Sequence, residues 1–158
     1  MPPKPDASSP FVWPPVIYVS AAVLSGMLAW FAGWPFEPPG QGAWWRFAGS
    51  AVIVMGLALL VMAGARFNRA KTPIAPTEPT QVLVFDGVYR YTRNPMYLGM
   101  TSILSGLGIA LDQLWFLIAV PIAMIAVTKL AIEREEAYLE RRFGAPYTAY
   151  KTTVRRWL

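Results

Sequence analysis

Two stretches of this chain carry residues able to do chemistry. The first runs from Leu83 to Gly99 and contains Arg90, Arg93, Asn94, Pro95 and Tyr97 between long apolar runs. The residue before a proline is pushed out of the α region and proline suits the first helical position, so Asn94-Pro95 predicts a helix cap and the first residue of a helix. The exposed N–H groups and positive dipole end of that helix, with Arg90 and Arg93 just upstream, suit an anion; a plain capped helix whose arginines face lipid headgroups fits the same residues. The second stretch holds Glu133, Glu135, Glu136 and Glu140. Glu133, Glu136 and Glu140 share one helix face. Ordinary pairing such as Lys129 with Glu133 accounts for some of them, whereas Glu135 and Glu136, beside a membrane exit, can bind an ammonium or accept a proton. Arginines from a loop and carboxylates from a helix together suit a zwitterion, such as an amino acid moiety.

The elements that must position these groups follow from composition. Of 158 residues, 55% are hydrophobic and only 15% charged, which predicts a membrane protein. There is no cysteine and no histidine, which excludes disulfides, a thiolate nucleophile, a Cys/His zinc site and a histidine base. No metal site is expected. The net charge of +5 is explained by membrane topology and anionic lipid rather than by nucleic acid.

Residues 1 to 15 read as an extended Pro/Ser-rich tail. The apolar segment Val16 to Phe31 continues too far for a cleaved signal peptide and predicts the first transmembrane helix, with Ala22 and Gly26, and Ser25 and Ala29, as small-residue ridges for close packing. Trp34 to Gln41 predicts a tight connection on the far side. A second helix is expected from about Trp44 to Phe67, then a long basic loop from Asn68 to Asn94, a short third run from Met96 to Leu111, a turn at Asp112-Gln113, and a fourth run from Leu114 to about Ile132 with a kink at Pro121. Helix-forming residues continue to Gly144, a natural cap. The expected fold is all-α and membrane-integral: about four transmembrane helices, the last two a helical hairpin with a cytoplasmic helical extension. Lysine and arginine concentrate in the 66–93 loop and after Ile132, which places both, and both termini, on the cytoplasmic side. The two chemically equipped stretches then meet at one membrane face.

The order Arg93-Asn94-Pro95-Met96-Tyr97-Leu98-Gly99, a hydrophobic hairpin, Glu135-Glu136, then Phe143-Gly144 with Tyr147 and Tyr150 resembles the isoprenylcysteine carboxyl methyltransferase family and the related phospholipid methyltransferases. Their pattern is Arg-His-Pro-x-Tyr-x-Gly, a hydrophobic stretch and Glu-Glu. The resemblance covers roughly Thr72 to Leu158. It implies one membrane methyltransferase domain over 1–158, with two N-terminal transmembrane helices in 1–67 and the cofactor-binding loop, hairpin and C-terminal segment in 68–158. It further implies S-adenosylmethionine as cofactor, S-adenosylhomocysteine as product, and a lipophilic acceptor from the bilayer, either a prenylcysteine-like carboxylate or a phospholipid amine. By the same resemblance Arg93, Asn94, Tyr97 and Glu135 are catalytic, and Leu83, Val84, Gly87, Tyr89, Arg93, Asn94, Pro95, Tyr97, Glu135 and Glu136 bind cofactor. Asn94 departs from the pattern's histidine and cannot act as a base near neutral pH. That departure resembles the prokaryotic branch and implies a bacterial inner membrane with the site facing the cytoplasm.

Methyl transfer from a sulfonium is an in-line displacement with an activated donor, so positioning and field suffice. A carboxylate acceptor needs no base; an amine acceptor must be neutral and gains from Glu135 or Glu136 as proton acceptor. Glu136 is the first choice for the cofactor ammonium. Tyr89, Phe143 and Tyr147 are either cofactor contacts or packing. An NADPH-dependent membrane reductase and a small non-catalytic membrane protein are the alternative readings, separated from the first by which cofactor binds. The topology predicts that single cysteines at Thr77 and Gln41 label from opposite sides of the membrane; labelling from the same side would undo the meeting of the two stretches.

Overall fold

The computed structural model describes residues 13–33, 43–73 and 78–158. The Trp34–Gln41 connection, Thr77 and most of the N-terminal tail lie outside them. Helix α1 spans Pro14–Ala32, α2 Ala43–Arg69, α3 Pro95–Ala110 and α4 Leu114–Val127. A wider π segment at Thr128–Ile132 joins α4 to α5 (Glu133–Phe143), and α6 (Ala145–Thr153) follows Gly144. The described residues contain no strand. Pro14–Ala32, Trp44–Arg69 and Leu114–Phe143 are long and apolar enough to cross a membrane, while Pro95–Ala110 is shorter. At about 1.5 Å per residue, α3 is roughly 24 Å long, short of the roughly 30 Å hydrocarbon core.

The rods alternate in direction. Near one end, Trp115 Nε1 donates to the Gly33 carbonyl at 3.0 Å and Ser25 Oγ to the Trp115 carbonyl at 3.2 Å, joining the end of α1 to the start of α4. Arg46 pairs there with Asp112 at 3.6 Å, tying α2 to the hairpin turn. At the other end lie the starts of α1 and α3, the end of α2, and α5. Between them Tyr18, Leu104, Phe116, Ala123 and Val127 form the core, and Tyr18 hydrogen-bonds Thr101 at 2.8 Å. Outward the helices show Val19, Leu24, Val61, Ile122 and Ile125, an apolar sheath suited to lipid.

Two features were not legible in the pattern. The tightest packing is between α2 and α3 rather than along the α1 ridges: a Cβ on Gly56 would lie 2.6 Å from the Gly99 carbonyl, and one on Gly106 2.7 Å from the Gly49 carbonyl. Gly49 and Gly56, like Gly99 and Gly106, are seven apart, two helical turns, so each pair lies on one face and the backbones touch. Gly26 has only Phe116 at 4.0 Å. The helix from Leu114 also continues through Pro121 and widens lower down, at Thr128–Ile132, where Thr128 Oγ1 donates to the Met124 carbonyl at 2.7 Å. One extra residue in that turn changes the face that α5 presents. The end is as the residues dictate: Gly144, at φ 60, donates to the Glu140 carbonyl at 2.9 Å.

Gly99→Ala forces the α2 and α3 backbones apart, an overpacking that costs about 1–3 kcal/mol, whereas Gly26→Ala meets only an ordinary contact with Phe116. Thermal unfolding in detergent should show a lowered midpoint for the first variant alone; equal midpoints would deny the seam its role.

Candidate functional site

The site is assembled by a clasp between the Thr92-Arg93-Asn94 segment and the last residues of the chain. The Arg93 N–H donates to the Arg155 carbonyl at 2.9 Å. Thr92 Oγ1 and Asn94 Nδ2 both donate to the Arg156 carbonyl, at 3.1 and 2.9 Å. Pro95 is the first helical residue, as expected, but the Asn94 side chain makes no capping bond. The expected cap is therefore corrected: the amide is committed to the Arg156 carbonyl, which it shares with Thr92.

Glu136 is buried, at 7% exposure. Arg156 grips its carboxylate with two bonds, Nε to Oε1 at 3.0 Å and Nη2 to Oε2 at 2.7 Å. Such a fork is the strongest common form of charge-assisted pairing, and Glu136 holds the Arg156 guanidinium above its ordinary pKa. Arg93 Nη1 stands 3.3 Å from Glu136 Oε1 outside hydrogen-bonding geometry, so that its buried Nε and Nη1 have no hydrogen-bond acceptor. Glu136 is thus occupied by arginines of its own chain, while Arg93 retains donors to offer.

Glu135 is differently placed. It accepts one hydrogen bond, from Tyr97 Oη at 3.0 Å to Oε2, and lies in the wall of two neighbouring cavities. The first, about 70 Å³, is lined by Leu83, Val84, Tyr89, Arg93, Asn94, Glu135 and Glu136 together with Phe67, Thr80, Val82, Ile132, Leu139, Tyr147 and Tyr150. The second, about 370 Å³, is mostly apolar and runs from Trp13, Pro14 and Pro15 to Pro95, Met96, Tyr97 and Met100. Phe67, Tyr89, Arg93, Asn94 and Glu135 belong to both.

Of the residues singled out in the sequence, Leu83, Val84, Tyr89, Arg93, Asn94, Glu135 and Glu136 converge on the small cavity, and Pro95 and Tyr97 stand one cavity away. Gly87 lines neither; its φ of +60 turns the chain against Arg66, whose Nε would be 2.4 Å from a Cβ there. Phe143 also lines neither, and carries the Arg142 guanidinium 5.8 Å above its ring. Lys129 and Glu133 form an exposed pair at 2.7 Å, and Glu140 pairs with Lys151 at 3.0 Å. The long loop is fastened by Thr80 N–H to Tyr138 Oη at 3.1 Å and Gln81 N–H to Thr72 Oγ1 at 2.9 Å. Arg156 was missed, because a basic pair after the last helix reads as a charged tail; the signal was Trp157, an aromatic that packs on the core.

The tyrosines around the cavity are donors, not bases. Tyr150 Oη donates to the Tyr89 carbonyl at 2.6 Å, and burial pushes its pKa up to about 12 against the pull of Arg93. Burial and then Glu136 raise Tyr147, with Arg93 opposing; burial and Glu135 raise Tyr89. No cluster of three or more metal-ligating side chains occurs among the described residues.

The family model described as phospholipid methyltransferase matches residues 44–146. An uncharacterized protein of Haemophilus influenzae is 40% identical over 63 residues, which are 40% of this chain and all of that protein. No solved structure matches.

Removing Arg156 deprives the buried Glu136 carboxylate of its main hydrogen bonds, which are worth about 1.5–3 kcal/mol for charged groups. A double-mutant cycle with Arg156→Gln and Glu136→Gln, followed by ligand-free thermal unfolding, should return a coupling of that order. Strict additivity would mean that the clasp is incidental.

Proposed function

The chain belongs to the phospholipid methyltransferase family, and on that premise we propose that it uses S-adenosylmethionine to methylate a lipophilic acceptor reached from the bilayer, at a site on the cytoplasmic face. The observation that carries this reading is the complementary pair at the small cavity: Arg93, with buried Nε and Nη1 lacking an acceptor, and Glu135, with a single hydrogen bond. The first suits a carboxylate and the second an ammonium, the two charges of an amino acid end. Leu83, Val84 and Tyr89 supply apolar and aromatic surface beside them. The donor set fits the cofactor, which when bound would supply an electrophilic methyl group on a sulfonium.

The division of the two cavities supports the same reading. The small one mixes polar and apolar side chains, the large one is mostly apolar, and Arg93, Asn94 and Glu135 line both. A lipid-like acceptor in the apolar cavity would present its polar end at that boundary. Asn94 Nδ2 is spent on the Arg156 carbonyl, so its part is to fix the segment. If the acceptor is an amine, Glu135 is the group placed to take its proton, held in orientation by Tyr97. A carboxylate acceptor requires no such step. The choice of Glu136 for the cofactor ammonium gives way to Glu135, because Glu136 already faces Arg156 and Arg93.

Titration calorimetry with S-adenosylhomocysteine on the detergent-solubilised protein tests this. Wild type should bind; Glu135→Gln and Arg93→Gln should each weaken binding roughly ten- to a hundredfold, the loss of one charge-assisted bond; and Glu140→Gln should bind as wild type. NADPH binding in place of S-adenosylhomocysteine would defeat the proposal.

A further inference from the structure

Behind the 3₁₀ turn at Gly87–Arg90 lies a third cavity, of about 510 Å³, which shares no lining residue with the two described above. Met62, Ala65, Arg66 and Arg69 from the end of α2 form one wall, and the turn with Arg90 and Tyr91 forms the other. Asp86 answers only one of the three arginines, accepting from Arg66 Nη1 at 2.6 Å. Arg69 and Arg90 are exposed and have no acidic partner among the described residues. Gly87 brings the turn into direct contact with the Arg66 guanidinium, so Arg66 is held from two sides and the concavity is a built one. Met62, 46% exposed, and Val61, 71% exposed, continue from it along the lipid-facing side of α2.

We propose that this cavity binds the phosphate of an anionic phospholipid, with Arg69 and Arg90 as its principal donors and the acyl chains lying along Val61 and Met62. Two guanidiniums without counter-charge line one concave surface, where an anion between them would offset their repulsion. Guanidinium is the group best matched to phosphate oxygens. The apolar wall on the membrane side distinguishes a lipid phosphate from a soluble one. The site goes beyond the methyl-transfer reading and does not depend on it, because its residues are separate. Its occupant would still bear on the inner cavities: Tyr89 projects from the same turn into both of them, so a lipid gripping Arg90 braces the backbone that carries Tyr89.

The test uses the purified full chain in neutral detergent at fixed ionic strength. Dihexanoyl phosphatidic acid, dihexanoyl phosphatidylcholine and inorganic phosphate are titrated separately, and binding is read from the shift in thermal unfolding. Wild type should bind the phosphatidic acid at least tenfold more tightly than the phosphatidylcholine, the Arg69→Gln/Arg90→Gln variant should lose that tenfold, and Arg141→Gln, on the exposed face of α5, should keep it. Arg90→Gln alone, an exposed substitution, gives the same reading should the double variant fail to fold. Undiminished phosphatidic acid binding in these variants, or equal affinity for both lipids, overturns the site. Inorganic phosphate bound as tightly as phosphatidic acid overturns the lipid assignment.

Discussion

Everything at the functional end of this protein depends on one buried carboxylate. Isolated, Glu136 would cost several kcal/mol to remove from water; with Arg156 forked across it and Arg93 alongside, that cost is offset. The three residues come from three places in the chain, α5, the C-terminal segment and the lead-in to α3. Their pairing therefore closes the end of the helix bundle. Once Arg156 is seated, its main-chain carbonyl is positioned to accept from Thr92 and Asn94. The neighbouring Glu135 is left facing the cavities without an arginine of its own. Adjacent glutamates of identical chemistry thus acquire opposite roles from their surroundings: one is satisfied internally and the other is available.

Much of the fold was legible because a bilayer selects on composition alone. Long apolar runs bounded by basic residues predict α1, α2 and the α3–α4 hairpin, and Gly144 marks the end of α5 by its freedom at positive φ. The α2–α3 seam was harder to read. Glycines seven apart in two separate helices signal close approach only when the helices are known to be neighbours. The π segment was illegible for another reason: Thr128 and its surroundings are compatible with an ordinary helix, and only the folded backbone shows where the turn widens.

The site divides similarly. The types and order of Arg93, Asn94, Glu135 and Glu136 pointed to their gathering, since helix ends and topology follow from local pattern. Which glutamate stays available depends on Arg156, twenty residues beyond Glu136, and such a contact leaves no mark on local periodicity. Asn94 misled for the same reason. A cap is the local default for asparagine before a helix, and a tertiary carbonyl competed for the same amide.

The glycine seam between α2 and α3 has a consequence for traffic. Backbones that touch at Gly56 and Gly99, and again at Gly49 and Gly106, leave no gap for an acyl chain, so that flank of the bundle is a sealed wall. The apolar cavity instead has Trp13, Pro14 and Pro15 along its rim, at the beginning of α1, and Trp13 is exposed. On the function proposed above, an acceptor moving in the plane of the membrane would approach Glu135 past the first turn of α1 rather than between α2 and α3.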